Sequence, residues 1–218
     1  MTLMNVITGC MFAGKTKMLI EKLKQHQAVG EKVVVFRPAT DIRYQYTILI
    51  DHDGNTFRGK SLIVKNSEEL LSRAHEGEYR IVGVDEYQFF DNRLTSVLIF
   101  LSEQGFNVIC AGLRYDFRGV EFQNTKDLLA LPKKKVVELT AICEICGAPA
   151  MHTLKILPDG QVATSIDDSP RIEIGGKDKY KPVCLKCFEL AISGCLGKDD
   201  LNRLLSKHSI IKNNQLIT

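Results

Sequence analysis

The sequence predicts an α/β fold with a mostly parallel sheet, and three observations carry that expectation. Short continuous apolar runs, Leu3 to Ile7, Lys32 to Phe36, Tyr79 to Val84 and Asn107 to Ala111, have the composition of strands buried on both faces. Stretches of helical pattern separate them, so strands and helices alternate. Between the first run and the first helix lies G-C-M-F-A-G-K-T, Gly9 to Thr16, in the order strand, glycine loop, helix.

That loop is read as a phosphate-binding loop. The backbone amides of Gly9, Cys10, Met11, Phe12, Ala13 and Gly14 and the following helix N-terminus would face phosphate oxygens. Lys15 would reach the β- and γ-phosphates, and the Thr16 hydroxyl would ligate Mg²⁺. An ordinary glycine turn would leave Lys15-Thr16 unexplained. A helix is expected over Lys17 to Gln27.

Pro38 ends the second strand, and Ala39 to Lys60 is a long polar connection broken by D-G and R-G. Asp41, Arg43 and His52 there could serve a phosphate site or simply be solvated loop charges. Ser61 to Lys65 reads as a strand, and Ser67 as the N-cap of a helix whose first turn holds Glu68 and Glu69. The run ending at Val84 leads into Asp85-Glu86. Acids at the carboxyl end of a central strand lie where ligands bind in such sheets, and Asp85 would hold Mg²⁺ opposite Thr16. Leu94 to Glu103 and Thr125 to Ala130 read as helices and Val136 to Ala141 as a last strand. Arg114 to Phe122 mixes aromatics and arginines, which suits either recognition of a planar ring or plain packing.

The seven cysteines include two C-x-x-C pairs. Cys143, Cys146, Cys184 and Cys187 are read as a Cys₄ zinc ribbon, a closed structural site. A hairpin turning at Pro158-Asp159-Gly160 would bring the pairs together, and the metal would compensate for a lobe with little core of its own. Cys110 reads as core. Cys10 is either a reactive thiol or a small tolerated loop residue. The expected organisation is a nucleotide-binding core over residues 1–140, a zinc-binding lobe over 141–192 and a tail over 193–218.

A net charge of +3 on 218 residues is too mild to argue for nucleic-acid binding. Lys133 to Lys135 reads as a solvated turn entering a strand. No apolar stretch reaches the roughly 18 residues that span a bilayer. A cleavable leader is not expected, because losing it would take the loop at Gly9 with it. The expected location is the cytoplasm, with no nucleic-acid or membrane partner.

A phosphate loop with Asp85-Glu86 allows two reactions. In an ATPase the second carboxylate orients water; in a small-molecule kinase it takes a proton from a substrate hydroxyl. A zinc-stapled appendage with a glycine-bearing loop between its cysteine pairs has the look of a lid, which favours transfer to a bound acceptor. The competing reading is a zinc-ribbon ATPase stimulated by nucleic acid or a protein partner.

The blocks G-C-M-F-A-G-K-T, D-I-R-Y, V-D-E-Y-Q-F-F, D-F-R-G, L-T-A-I-C-E-I-C-G and K-Y-K-P-V-C-L-K-C resemble, in order, the motifs of the cellular-type (type II) thymidine kinases. The resemblance runs from about residue 3 to residue 190. It implies a phosphate-loop NTPase (RecA-like) core with a small zinc-ribbon and lasso lobe, and Mg·ATP-dependent phosphorylation of the thymidine 5′-hydroxyl. Glu86 matches the family's general base, Asp41 and Arg43 its D-x-R element, and Gln88 lies in its nucleotide-binding block. Met11, Phe89, Leu113, Phe117, Phe122, Thr153 and Tyr180 match the nucleoside pocket. The lasso, Arg171, Ile172, Glu173, Ile174 and Gly175, would read the base through backbone groups. The resemblance further implies a homotetramer and feedback inhibition by dTTP.

The chain departs from the family pattern at four places. Arg114 stands where the G-L-D-x-D-F-R-G block has an acid, Glu121 where a proline is usual, and Asp51 where a small polar residue is common. Arg171 and Glu173 make the lasso unusually charged. None of these changes touches Lys15, Thr16, Asp85 or Glu86, so activity is expected to survive.

Overall fold

The computed structural model describes residues 4–41, 48–164, 173, 175–197, 199–200, 202 and 204. Among them the chain divides into two compact units. The first takes in residues up to Thr8, Gly14–Arg114 and Glu121–Leu139. The second takes in Gly9–Ala13, Tyr115–Val120 and residues from Thr140 onward.

The first unit is built on a mostly parallel six-stranded sheet. Its strands are β1 (Met4–Gly9), β2 (Val33–Pro38), β5 (Lys60–Val64), β6 (Ile81–Val84), β7 (Asn107–Leu113) and β8 (Lys134–Leu139), in the order β5-β2-β6-β7-β1-β8. A two-stranded hairpin, β3 (Leu49–Ile50) with β4 (Thr56–Phe57), lies in the connection between β2 and β5. β2 runs parallel to β5 and β6, and β6 parallel to β7.

Alternate residues along each strand serve opposite cores. Val34 and Phe36 of β2, Val82 and Val84 of β6, and Val108 and Cys110 of β7 share one cluster with Leu70, Leu98 and Leu128. Those three come from α2 (Ser67–Glu76), α3 (Leu94–Glu103) and α4 (Gln123–Ala130). Val33, Val35, Ile81 and Ile109 face the other way, toward Leu19, Ile20 and Leu23 of α1 (Lys15–Ala28) and toward Leu49 and Phe57 of the hairpin. Two covered faces explain why the strands are apolar throughout rather than alternating.

One local detail differs from expectation. Asn66, not Ser67, caps α2: its extended backbone (φ −158°) lets the side chain accept the Glu69 N–H at 2.9 Å. Ser67 is buried and donates its hydroxyl to Asp91 at 2.6 Å. Asp51 shapes the β3–β4 turn, accepting from the backbone N–H groups of Asp53 (2.9 Å) and Asn55 (2.8 Å).

In the second unit, β9 (Ala141–Ile142) pairs with β10 (Pro149–Ala150), and β11 (His152–Lys155) pairs antiparallel with β12 (Tyr180–Val183). Helix α5 (Leu185–Ile192) follows. The expected turn at Pro158-Asp159-Gly160 is present, with Leu157 N–H bonded to Gln161 O at 2.8 Å. It is flanked by an isolated Ile156–Val162 bridge and by the Ala163 N–H bond to Lys155 O at 2.8 Å. The cysteine pairs meet at β12: the Glu144 N–H, beside Cys143, bonds to Pro182 O at 3.0 Å, and β12 runs directly into Cys184. Most of the tail, residues 205–218, lies outside the described residues. Among the described residues no helix is long and apolar enough to cross a membrane.

Candidate active site

In the first unit, Lys15 and Thr16 open α1, and Lys15 is buried. The Thr16 hydroxyl lies 3.2 and 3.3 Å from the two carboxylate oxygens of Asp85, at the end of β6. The sheet thus joins two groups that stand far apart in sequence.

Glu86 has a left-handed backbone (φ 52°, ψ 44°) and begins the single 3₁₀ turn Tyr87–Phe89. A non-glycine residue in that region is uncommon and needs surrounding structure to hold it. Gln88 supplies part of that structure. Its side-chain amide donates to the Glu86 carboxylate at 2.5 Å, and its carbonyl oxygen accepts the Leu113 N–H at 2.9 Å. Gly112 makes room for this, since a Cβ there would lie 2.5 Å from Gln88 Oε1. Asn124 holds the turn from behind, donating to the Tyr87 and Phe90 carbonyls at 3.0 Å each. Burial pushes the Tyr87 hydroxyl far above its ordinary pKa, so it stays protonated.

Phe89 meets Phe122 edge to face, with ring centres 6.4 Å apart. Asp41 is buried just beyond β2, its N–H bonded to Pro38 O at 3.0 Å. His52 is exposed in the β3–β4 turn. Arg43 lies outside the described residues.

Arg114, the reversed charge, pairs through Nε with Glu121 at 3.2 Å and through a second nitrogen with Glu138. The two departures from the family block therefore answer each other. The sequence carried no signal for Glu138, which is placed by the β8 register alone.

The second unit holds the other half of the glycine loop. The Cys10 thiol donates to Ala150 O at 3.2 Å and the Met11 N–H to Thr153 Oγ1 at 3.2 Å. Phe12 also has a left-handed backbone (φ 64°). Phe117, Tyr180 and Ala163 form a small buried cluster, with Met11, Phe12 and Leu157 packed against it. The Tyr180 hydroxyl donates to the Glu173 carbonyl at 2.6 Å. Gly175 is described; Arg171, Ile172 and Ile174 lie outside the described residues.

The sulfurs of Cys143, Cys146, Cys184 and Cys187 lie within 4.8 Å of one another, with Cys146 and Cys184 at 3.6 Å. A tetrahedral metal bonded to sulfur at 2.3 Å sets its sulfurs about 3.8 Å apart, so the cluster fits a metal such as zinc. Burial opposes ionisation of Cys143, but N–H groups of Cys146, Cys184 and Ile145 outweigh it and bring the thiol down to about 7. Burial and the neighbouring thiols push Cys187 the other way. Cys110, far inside the first core, is raised to about 12 by burial.

Sequence comparison bears on the whole of this arrangement. The sequence model of the thymidine kinase family matches residues 2–188. A thymidine kinase of Mycoplasma capricolum subsp. capricolum is 37% identical over 187 residues, covering 84% of this chain and 87% of its own. A thymidine kinase of Rhodothermus sp. (strain ITI 518) is 37% identical over 184 residues, covering 84% of this chain and 80% of its own. With a match of that extent to the family and to relatives aligned along most of their length, this chain belongs to the thymidine kinase family.

Proposed function

We propose that this chain transfers the γ-phosphate of ATP to the 5′-hydroxyl of thymidine, giving dTMP, with deoxyuridine as a second acceptor, in the salvage of pyrimidine deoxynucleosides. The observation that carries the reading is the division of labour between two adjacent carboxylates. Asp85 faces the Thr16 hydroxyl, whereas Glu86 turns away on a left-handed backbone and is held by Gln88. Family membership supports the same reading.

Lys15 and the amides of Gly9 to Gly14 hold the phosphates, with Asp41 and Arg43 nearby. Thr16 and Asp85 would hold Mg²⁺, which would supply neutralising charge for the transferred group. Glu86 accepts the 5′-hydroxyl proton as that oxygen bonds to the γ-phosphorus and ADP leaves. Met11, Phe89, Leu113, Phe117, Phe122, Thr153 and Tyr180, the residues that match the family's pocket, serve the nucleoside. The lasso, Arg171 to Gly175, serves the base through its backbone. The Cys₄ cluster holds a structural zinc with no position left for water. The enzyme is a cytoplasmic homotetramer, and dTTP inhibits it from the substrate site.

The test is phosphoryl transfer from Mg·ATP to thymidine, deoxyuridine, deoxycytidine and purine deoxynucleosides, beside a control without acceptor. Thymidine monophosphate well above the other products is the expected outcome. ATP hydrolysis with no nucleotide product would replace the kinase with an ATPase.

A further inference from the structure

Lys155 stands outside every role assigned so far, yet it is only 2% exposed. An ammonium taken that far out of water needs a partner of opposite charge. Among its partners are the Glu173 carboxylate, with which it forms an ion pair, and the Phe117 ring, whose centre lies 5.1 Å from the ammonium. The other Glu173 carboxylate oxygen takes Lys179. The Glu173 carbonyl takes the Tyr180 hydroxyl at 2.6 Å, so one residue is gripped at both its side chain and its backbone.

The register of β11 explains why these grips converge. Lys155 sits directly across from Tyr180 in the β11–β12 ladder. Thr153 lies two residues before Lys155, and residues i and i+2 of a strand share a face. From that face Thr153 receives the Met11 N–H and Lys155 receives Glu173. Gly175 lies flat against the same end of the hairpin, because a Cβ there would meet Lys179 and Tyr180 carbons at 2.9–3.0 Å. Lys155 and Lys179 also hold the Glu173 carboxyl below its ordinary pKa, so the strap stays charged at neutral pH.

We propose that Lys155 is a positioning residue for nucleoside recognition: through the Glu173 carboxylate and the Phe117 ring it fixes Glu173 and the aromatic wall that Phe117 and Tyr180 provide. The proposal rests on the thymidine reading above. It makes an asymmetric demand. Loss of Lys155 leaves Glu173, whose side chain is 35% exposed, still paired with Lys179. Loss of the Glu173 charge leaves a buried ammonium facing a neutral group, which is the costlier defect.

The experiment is steady-state kinetics on the full, metal-loaded chain, varying thymidine and Mg·ATP separately, with thermal midpoints measured without substrate. Lys155→Met is expected to raise KM for thymidine about tenfold while KM for ATP stays within about twofold, the pattern of misplaced acceptor groups. Glu173→Gln is expected to do more harm than Lys155→Met, and the double variant to recover part of the loss in both midpoint and thymidine KM. Thymidine and ATP KM values rising together, or an unchanged thymidine KM in folded Lys155→Met, would overturn the positioning role. Should Lys155→Met fail to fold, Glu173→Gln carries the kinetic test by the same two outcomes. The midpoints need no substrate: simple additivity of the two single losses overturns the latch even if the wild-type chain proves to act on another nucleoside, whereas absence of thymidine phosphorylation by wild type fails the functional reading alone.

Discussion

Gln88 donates its side-chain amide to the Glu86 carboxylate at 2.5 Å and, with the other end of the same amide, accepts the backbone N–H of Leu113 at 2.9 Å. A flexible carboxylate is thereby tied to the end of β7, which runs parallel to β6, the strand that ends two residues before Glu86, with Val84 opposite Cys110. A left-handed backbone at a non-glycine residue persists only where its surroundings hold it, and this amide is one of the holds on Glu86.

Glu86→Gln should lower kcat by about 10²-fold or more, the usual worth of a general base, with little change in ATP affinity. Gln88→Met should lower kcat by a smaller factor, and Gly112→Ala should imitate it because the added carbon occupies the space of Gln88 Oε1. Turnover near wild type in Glu86→Gln would remove that residue from the role.

The Arg114–Glu121 pair predicts a coupling. Both side chains are a little under one third exposed, so a double-mutant cycle with alanine, read by urea unfolding, should give about 0.5–1 kcal/mol. The value should shrink in 1 M salt. Strict additivity at low salt would show that the two changes merely coexist.

Elemental analysis should find one zinc per chain, and chelation should cost the second unit its fold, since its core is small and includes Cys143 and Cys187 themselves. Cys146→Ser should lower both metal content and thermal midpoint. A folded, active, metal-free preparation would contradict the assignment.

Asp91 gives a pH dependence. Burial raises its pKa, but the hydroxyl and N–H of Ser67 and the N–H of Arg93 outweigh this and hold it below 3.8. The folded value therefore lies below the unfolded one. The ionised carboxylate stabilises the α2–α3 region above about pH 4, and that contribution disappears as pH falls through the folded value. Asp91→Asn should flatten acid unfolding in this range and cost no more than about 1 kcal/mol at neutral pH, because the group faces solvent. An identical acid transition in the variant would assign it to other carboxylates.

What the sequence made legible was local or of short period. The strand–loop–helix at Gly9–Thr16, the acids after Val84 and the paired cysteines all sit in contiguous stretches whose composition follows from burial on two faces or from ligand chemistry. Partners set by register were not legible. Lys155 reads as one more polar residue in H-T-L-K until β12 brings Tyr180 opposite it. Glu138 became the partner of Arg114 only through the placement of β8. Ser67 looked like a cap because caps are written in residue type, yet the choice between it and Asn66 was decided by backbone angle and by Asp91, 24 residues away.

The first half of the glycine loop is anchored to residues about 140 positions downstream, Cys10 on Ala150 and Met11 on Thr153. Translation runs at about 5–20 residues per second, so roughly 7–28 s separate the synthesis of the loop from that of its anchors. The loop thus takes its final shape only after β10 and β11 of the second unit have been made.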